Sequence, residues 1–160
     1  MSAASPPVTL GEITAESLSA ILALHPGSDR QQFVATNATP IAQAHFEPAA
    51  WFRAIYAGDA PVGFAMRYDP SRAANPERAD RCFLWRLMID ARQQRNGYGA
   101  HAVRLLIAHA RALPGVVAMD VSYFPGAGNP GDFYRKLGFR DTGAVDDGEV
   151  MLELGLVTHE

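Results

Sequence analysis

Gln94-Arg95-Asn96-Gly97-Tyr98-Gly99 carries the spacing Gln-x-x-Gly-x-Gly where an apolar run gives way to a helical pattern. A turn of this kind can aim successive backbone N–H groups at one spot, and the N-terminus of a following helix adds its positive dipole end there. Glycine lets the backbone approach a bulky anion and adopt positive φ where that is required. These residues therefore suit an oxyanion or phosphate cradle, although an ordinary strand-to-helix turn could carry the same six. Other phosphate loops fit less well. No Gly-Lys-Ser/Thr ending is present for a Walker A loop, and a dinucleotide fingerprint needs a third glycine and an early βαβ unit.

The elements that must hold this loop can be read on either side of it. In Cys82–Ile89 both alternating faces are apolar except for Arg86, which suits a strand covered on both sides. In that alternation Arg86 shares a face with Leu84 and Met88. From Val103 the apolar residues fall at Val103, Leu106, Ile107 and Ala110, the spacing of a helix with one buried face, running to about Ala112. Upstream, the pattern predicts a strand over Val8–Ile13 and a helix over Ser17–Leu24 with Thr14 as a cap. Arg30–Thr39 reads as a loop or short helical turn. A short helix follows over Ile41–Phe46, with Pro40 at its first position. Trp51–Ala57 and Val62–Tyr68 read as a hairpin, and Asp69–Arg81 as a surface excursion. Downstream come a strand over Val116–Tyr123, a glycine-rich loop over Phe124–Gly131, and a short helix over Asp132–Leu137 ending at Gly138. The last two strands, Phe139–Val145 and Glu149–Leu156, meet at Asp146-Asp147-Gly148. The order β-α-α-β-β-β-α-β-α-β-β describes a mixed sheet flanked by helices, with no internal repeat.

The totals narrow the class of partner. At 160 residues, 48% of them hydrophobic and 19% charged, the composition is that of one globular domain, with residues 1–6 expected to be disordered. A net charge of −3 gives no nucleic-acid footprint and is compatible with a cationic substrate. The single cysteine, Cys82, rules out a disulfide within the chain and fits a reducing compartment. No signal segment and no membrane-length apolar run are visible, so a cytoplasmic protein without membrane partners is expected. The five histidines have no ligand-like spacing with one another or with Cys82, so no metal site is expected.

Gln94-x-x-Gly97-x-Gly99 resembles the acetyl-CoA pyrophosphate loop of the GNAT N-acetyltransferases. Phe133-Tyr134-Arg135-Lys136-Leu137-Gly138-Phe139 resembles the F-Y-x-K-x-G-F segment of the same enzymes. The element order agrees with both, and the likeness runs from Val8 to Leu154. It implies an α/β (α+β) fold with a mostly antiparallel sheet of about seven strands and about four helices. It also implies acetyl-CoA as the donor, a homodimer, and Tyr134 as the general acid that protonates the departing thiolate. Leu87, Met88 and Ile89 would lie along the pantetheine arm. Gln94, Arg95, Asn96, Gly97, Tyr98, Gly99 and Ala100 would surround the diphosphate. Where many relatives carry an asparagine that touches the CoA chain, this sequence has Ala127; either Asn129, two residues later, substitutes through a shifted loop or the contact is lost.

Gln32-Phe33-Val34-Ala35, Asn37, Glu47-Pro48 and Phe83–Asp90 look like the spermine/spermidine acetyltransferase-like bacterial subgroup. That likeness makes a polyamine the first expectation for the acceptor amine, with Gln32, Phe33, Asn37 and Glu47 lining its pocket. An aminoglycoside, an amino acid or a protein amine is the alternative, and a non-catalytic acyl-CoA sensor is a second. No residue announces itself as the base that takes the amine's proton. Asp90 could act through water and Glu47 could bind a cationic amine, but each also reads as a solvated loop carboxylate. Arg86 reads as organising a carboxylate near the substrate or, the favoured reading, as a member of a structural ion pair, and Trp85 as core rather than a substrate-stacking ring.

Overall fold

The structure, a computed structural model, describes residues 6–27 and 36–157. Of residues 1–6, expected to be disordered, 1–5 lie outside the described residues, as do Gln32 and Phe33 with their expected pocket roles. Seven strands form one sheet: β1 (Val8–Gly11), β2 (Ala50–Ala57), β3 (Ala60–Tyr68), β4 (Arg81–Ile89), β5 (Ala118–Tyr123), β6 (Arg140–Asp146) and β7 (Glu149–Gly155). Their spatial order is β1-β2-β3-β4-β5-β7-β6, and every neighbouring pair is antiparallel except β4 and β5. That one parallel step needs a crossover. It is supplied by the helix α3 (Tyr98–Arg111); the other helices are α1 (Leu18–Leu22), α2 (Ala38–Phe46) and α4 (Gly131–Lys136).

The two faces of the sheet carry separate cores. α3 turns Ala102, Val103, Leu106, Ile107 and Ala110 inward, the i, i+3/i+4 spacing that sets an apolar stripe on one side of a helix. Packed with them are Cys82, Leu84, Met119, Val121, Tyr134 and Leu152. On the other face, Ile21 and Leu24 pack with Ala54, Phe64, Met66 and Met88. Asn37, 1% exposed, ties the start of α2 to α1 by donating from Nδ2 to the Ile21 carbonyl at 2.8 Å.

Three local differences from the sequence reading have physical causes. α2 starts at Ala38, so Pro40 is its third residue. A proline is accommodated there because the first-turn N–H groups have no intrahelical acceptor. β3 starts at Ala60, paired with Ala57, so the hairpin turn is only Gly58-Asp59, with Gly58 at φ +60°. The third difference shapes the site. Met66 pairs with Arg86 while Arg67 pairs with Leu84, which leaves Trp85 as an extra residue in β4. Such a bulge reverses the side-chain alternation beyond it. Cys82 and Leu84 accordingly belong to the α3 core, as do Leu87 and Ile89, while Met88 belongs to the opposite one. Leu84 and Met88 therefore do not share a face, as strict alternation would have it.

Candidate active site

β4 and β5 pair only from Arg81↔Ala118 to Leu84↔Val121. Beyond that point the two strands part. Half the backbone groups of Trp85–Ile89 face β3, and the rest turn toward the gap that β5 has left. The closed end of this wedge is held by Arg81, which donates to both carboxylate oxygens of Asp120 on β5 and, at 2.5 Å, to Glu153 on β7. A cavity of about 750 Å³ fills the open end, within the range of small-molecule sites. Its walls include Leu87, Ile89, Tyr98, Phe133 and Tyr134 from the α3 side of the sheet. From the other side come Trp85, Arg86, Met88, Ser122 and Glu149. The cavity thus passes through the sheet, with one mouth on each face.

At the first mouth stands the glycine-containing loop. Arg95 at φ +69° and Gly97 at φ +79° turn the chain into α3, and no side chain caps the helix. The first-turn amides of Tyr98, Gly99 and Ala100 have no intrahelical acceptor and sit where the helix dipole is positive. Gln94 fixes the loop from below, its side-chain amide donating to the carbonyls of Ile89 and Pro26 at 3.0 Å each. Asp90, 2% exposed, braces the same corner by accepting from the His25 N–H at 3.0 Å and from the Arg92 N–H and guanidinium. Arg92 holds the Asp90 carboxyl below the usual carboxylate range. Asp90 is thus a weak proton acceptor and serves as a brace.

Facing the gap, Tyr134 is 6% exposed, its ring edge-on to Phe133 and Phe139 at 5.1 and 5.6 Å. Among the described residues its hydroxyl has no hydrogen-bond partner, yet it is not among the polar atoms sealed from solvent, so it opens on the cavity it lines. Burial pushes its pKa up, which keeps the phenol protonated and able to donate at neutral pH. α4, which carries it, is anchored at both ends. Gly131 lies so close to β5 that a Cβ would come within 2.9 Å of the Tyr123 ring. Arg135 donates to the Tyr123 hydroxyl at 2.7 Å and to Asp132 and Asp141.

The opposite mouth carries Glu149, whose Oε1 accepts from the Ser122 hydroxyl at 3.2 Å, and Arg86 beside Trp85. An anion cradle, a gap lined with unpaired strand backbone and a buried phenol thus lie in sequence along one cavity. A family model for the GNAT acetyltransferases matches residues 18–139. The chain belongs to the GNAT acetyltransferase family. A search of the curated proteins found no match. Among solved structures, an aminoglycoside acetyltransferase in complex with coenzyme A is 19% identical, covering 93% of this chain and 95% of that one with a TM-score of 0.74. An acetyltransferase from Thermus thermophilus is 17% identical, covering 92% and 96% with a TM-score of 0.70. One from Bacillus subtilis, in complex with CoA, is 16% identical, covering 96% and 100% with a TM-score of 0.65. At these identities the likeness is one of fold.

Most of the donor-side residues read from the sequence of this GNAT chain line the cavity: Leu87, Met88, Ile89, Gln94, Arg95, Gly97, Tyr98, Gly99, Ala100 and Asn129, with Tyr134. Asn96 does not; it is exposed and donates to the Gln93 carbonyl. Asn129 spends its side chain on its own loop, donating to Gly126 O at 2.6 Å and accepting from Gly131 N at 2.9 Å, so it orders the approach to α4. Of the acceptor-side residues, Asn37 and Glu47 lie off the cavity. Asn37 is the buried tie to α1, and Glu47 accepts from the Ala49 N–H at 3.1 Å. Arg86, Ser122 and Glu149 line the cavity instead. Glu149 carries no local signal, since only the pairing of β5 with β7 brings it to the mouth of the wedge. Arg86 was visible as the one charge within an apolar strand, but the ion pair expected of it is absent: among the described residues no carboxylate lies within 4.0 Å.

Proposed function

We propose that the protein transfers an acetyl group from acetyl-CoA to a primary amine of a small molecule, by direct attack in a ternary complex. The donor's diphosphate rests on the amides at the head of α3. Its pantetheine arm lies along β4 as an added strand would, in the gap where β5 has turned away. The thioester then reaches the middle of the cavity, and the acceptor enters from the mouth that holds Glu149. The amine gives up a proton, with Glu149 as the nearby acceptor, and its nitrogen attacks the thioester carbonyl. A C–N bond forms, the oxyanion is stabilised by backbone N–H groups of β4, and the C–S bond breaks. Tyr134 donates its proton to the departing sulfur and is restored by the second proton, which the nitrogen releases once it is bonded to the acyl carbon, while Glu149 passes the first to solvent; the products are the N-acetyl amine and CoA thiol.

The observation that carries this reading is the Tyr134 hydroxyl, unpartnered among the described residues and open to the cavity on an otherwise buried ring. A sensor that only binds acyl-CoA has no need of it. The polyamine expected from the subgroup likeness finds support in Glu149, the one carboxylate among the described lining residues, but Arg86 at the same mouth weighs against a chain of several ammonium groups. The test is CoA-thiol release over a panel of amines with the wild type and Tyr134→Phe. Loss of a general acid lowers kcat by about 10²-fold while CoA affinity stays as it was. Unchanged turnover in the variant would remove Tyr134 from the mechanism.

A further inference from the structure

Arg86 stands apart from the other arginines of the sheet. Arg81, five residues earlier on the same strand, is neutralised by Asp120 and Glu153. Arg67, 2% exposed, also has a sealed Nε without a partner among the described residues, but it lies 4.2 Å from the Trp51 ring centroid and donates to the Leu106 carbonyl, away from the cavity. Arg86 lines the cavity and is half-buried. Among the described residues its single hydrogen bond runs from Nη2 to the neutral Oε1 of Gln43 at 3.3 Å, and its Nε is sealed without a partner. A guanidinium keeps its charge at any working pH, so a partly desolvated one without a counter-ion is costly. It is also the side chain whose planar fork matches a carboxylate. Glu149 is near enough for its charge to favour the Arg86 cation, yet the two are more than 4.0 Å apart and form no ion pair. The acceptor mouth thus presents one cation and one anion, held separate.

We propose that the acceptor is a small amino-carboxylate, a primary amine and a carboxylate in one molecule, with Arg86 binding the carboxylate and Glu149 receiving the amine. This assignment rests on the acetyl transfer proposed above. A polyamine would set a second ammonium against Arg86, a like-charge contact that disfavours binding.

The test is CoA-thiol release with amino acids, each matched to its own carboxamide, and with spermidine. The proposal expects at least one amino acid to exceed its carboxamide by about tenfold in kcat/KM, the worth of a charge-assisted hydrogen bond. For that pair, Arg86→Gln raises the KM of the amino acid by about tenfold, holds kcat within about threefold, and moves the carboxamide's KM by less than about threefold. CoA affinity of the variant serves as the check that it folds. Carboxamides or spermidine turned over as well as every amino acid would overturn the assignment, as would an equal effect of the variant on both members of a pair. If no amine releases thiol, acetyl transfer itself fails. Arg86 is then judged by whether amino acids, and not their carboxamides, raise the melting temperature of the CoA complex in the wild type but not in Arg86→Gln; equal shifts sink it.

Discussion

Gly97 and Gly99 stand two residues apart in one loop, and different forces hold them there. Gly97 sits at φ +79° with nothing within 4 Å of where a Cβ would go, so its requirement is conformational. Gly99 has ordinary dihedrals, and a Cβ there would touch Phe133 and Ile89 at 3.5 and 3.6 Å, normal van der Waals distances. Alanine at position 97 carries the left-handed penalty of about 1–2 kcal/mol, and the loop relieves it by turning its amides away from the diphosphate. Gly97→Ala should therefore weaken CoA binding by about tenfold, while Gly99→Ala stays within about threefold of the wild type. Titration calorimetry with CoA distinguishes the two. Equal losses would place the glycine requirement elsewhere.

Among the elements, the decisive one is the wedge between β4 and β5. It exists because pairing stops at Leu84↔Val121 and because Trp85 is an extra residue in β4. The Arg81–Asp120–Glu153 cluster closes its narrow end with side chains that are only partly exposed. Arg81→Ala leaves two carboxylates facing each other there and should destabilise the protein by about 1–3 kcal/mol in urea unfolding, with CoA affinity falling because the wedge opens. A loss below about 0.5 kcal/mol would mean that strand packing alone sets the angle. The strands and helices themselves were legible from periodicity and punctuation. Gly138, at φ +104°, ends α4 as its position predicts, and Asp147-Gly148, both at positive φ, turn β6 into β7. The bulge was not legible. It depends on how Met66 and Arg67 register with β4, and nothing local to Trp85 encodes that. The glycine-containing loop could be read because it is formed by six consecutive residues. The opposite mouth of the cavity could not, because Arg86, Ser122 and Glu149 come to it only when β4, β5 and β7 are assembled.

For the molecule as a whole, the lone thiol gives an independent check on the packing of the sheet against α3. Cys82 is 1% exposed, and burial pushes its pKa from 9.0 to about 11. An unfolded chain thus releases this proton at lower pH than the folded one, so stability is fully present below about pH 9 and is lost as pH rises toward 11. A rise of that size corresponds to a loss on the order of 2 kcal/mol, and Cys82→Ala should lack that part of the decline. Urea unfolding at pH 8 and pH 10.5 measures it. Equal declines in both proteins would mean that Cys82 is reached by water. The same burial should keep Cys82 silent toward thiol reagents while CoA thiol is being detected.

The most direct measurement is a crystal structure of the protein with CoA bound. It should show the diphosphate on the amides of Gly97–Ala100, the pantetheine between β4 and β5, and the sulfur about 3–3.5 Å from the Tyr134 hydroxyl. A diphosphate bound away from the head of α3, or a sulfur beyond hydrogen-bond reach of that hydroxyl, would contradict the account.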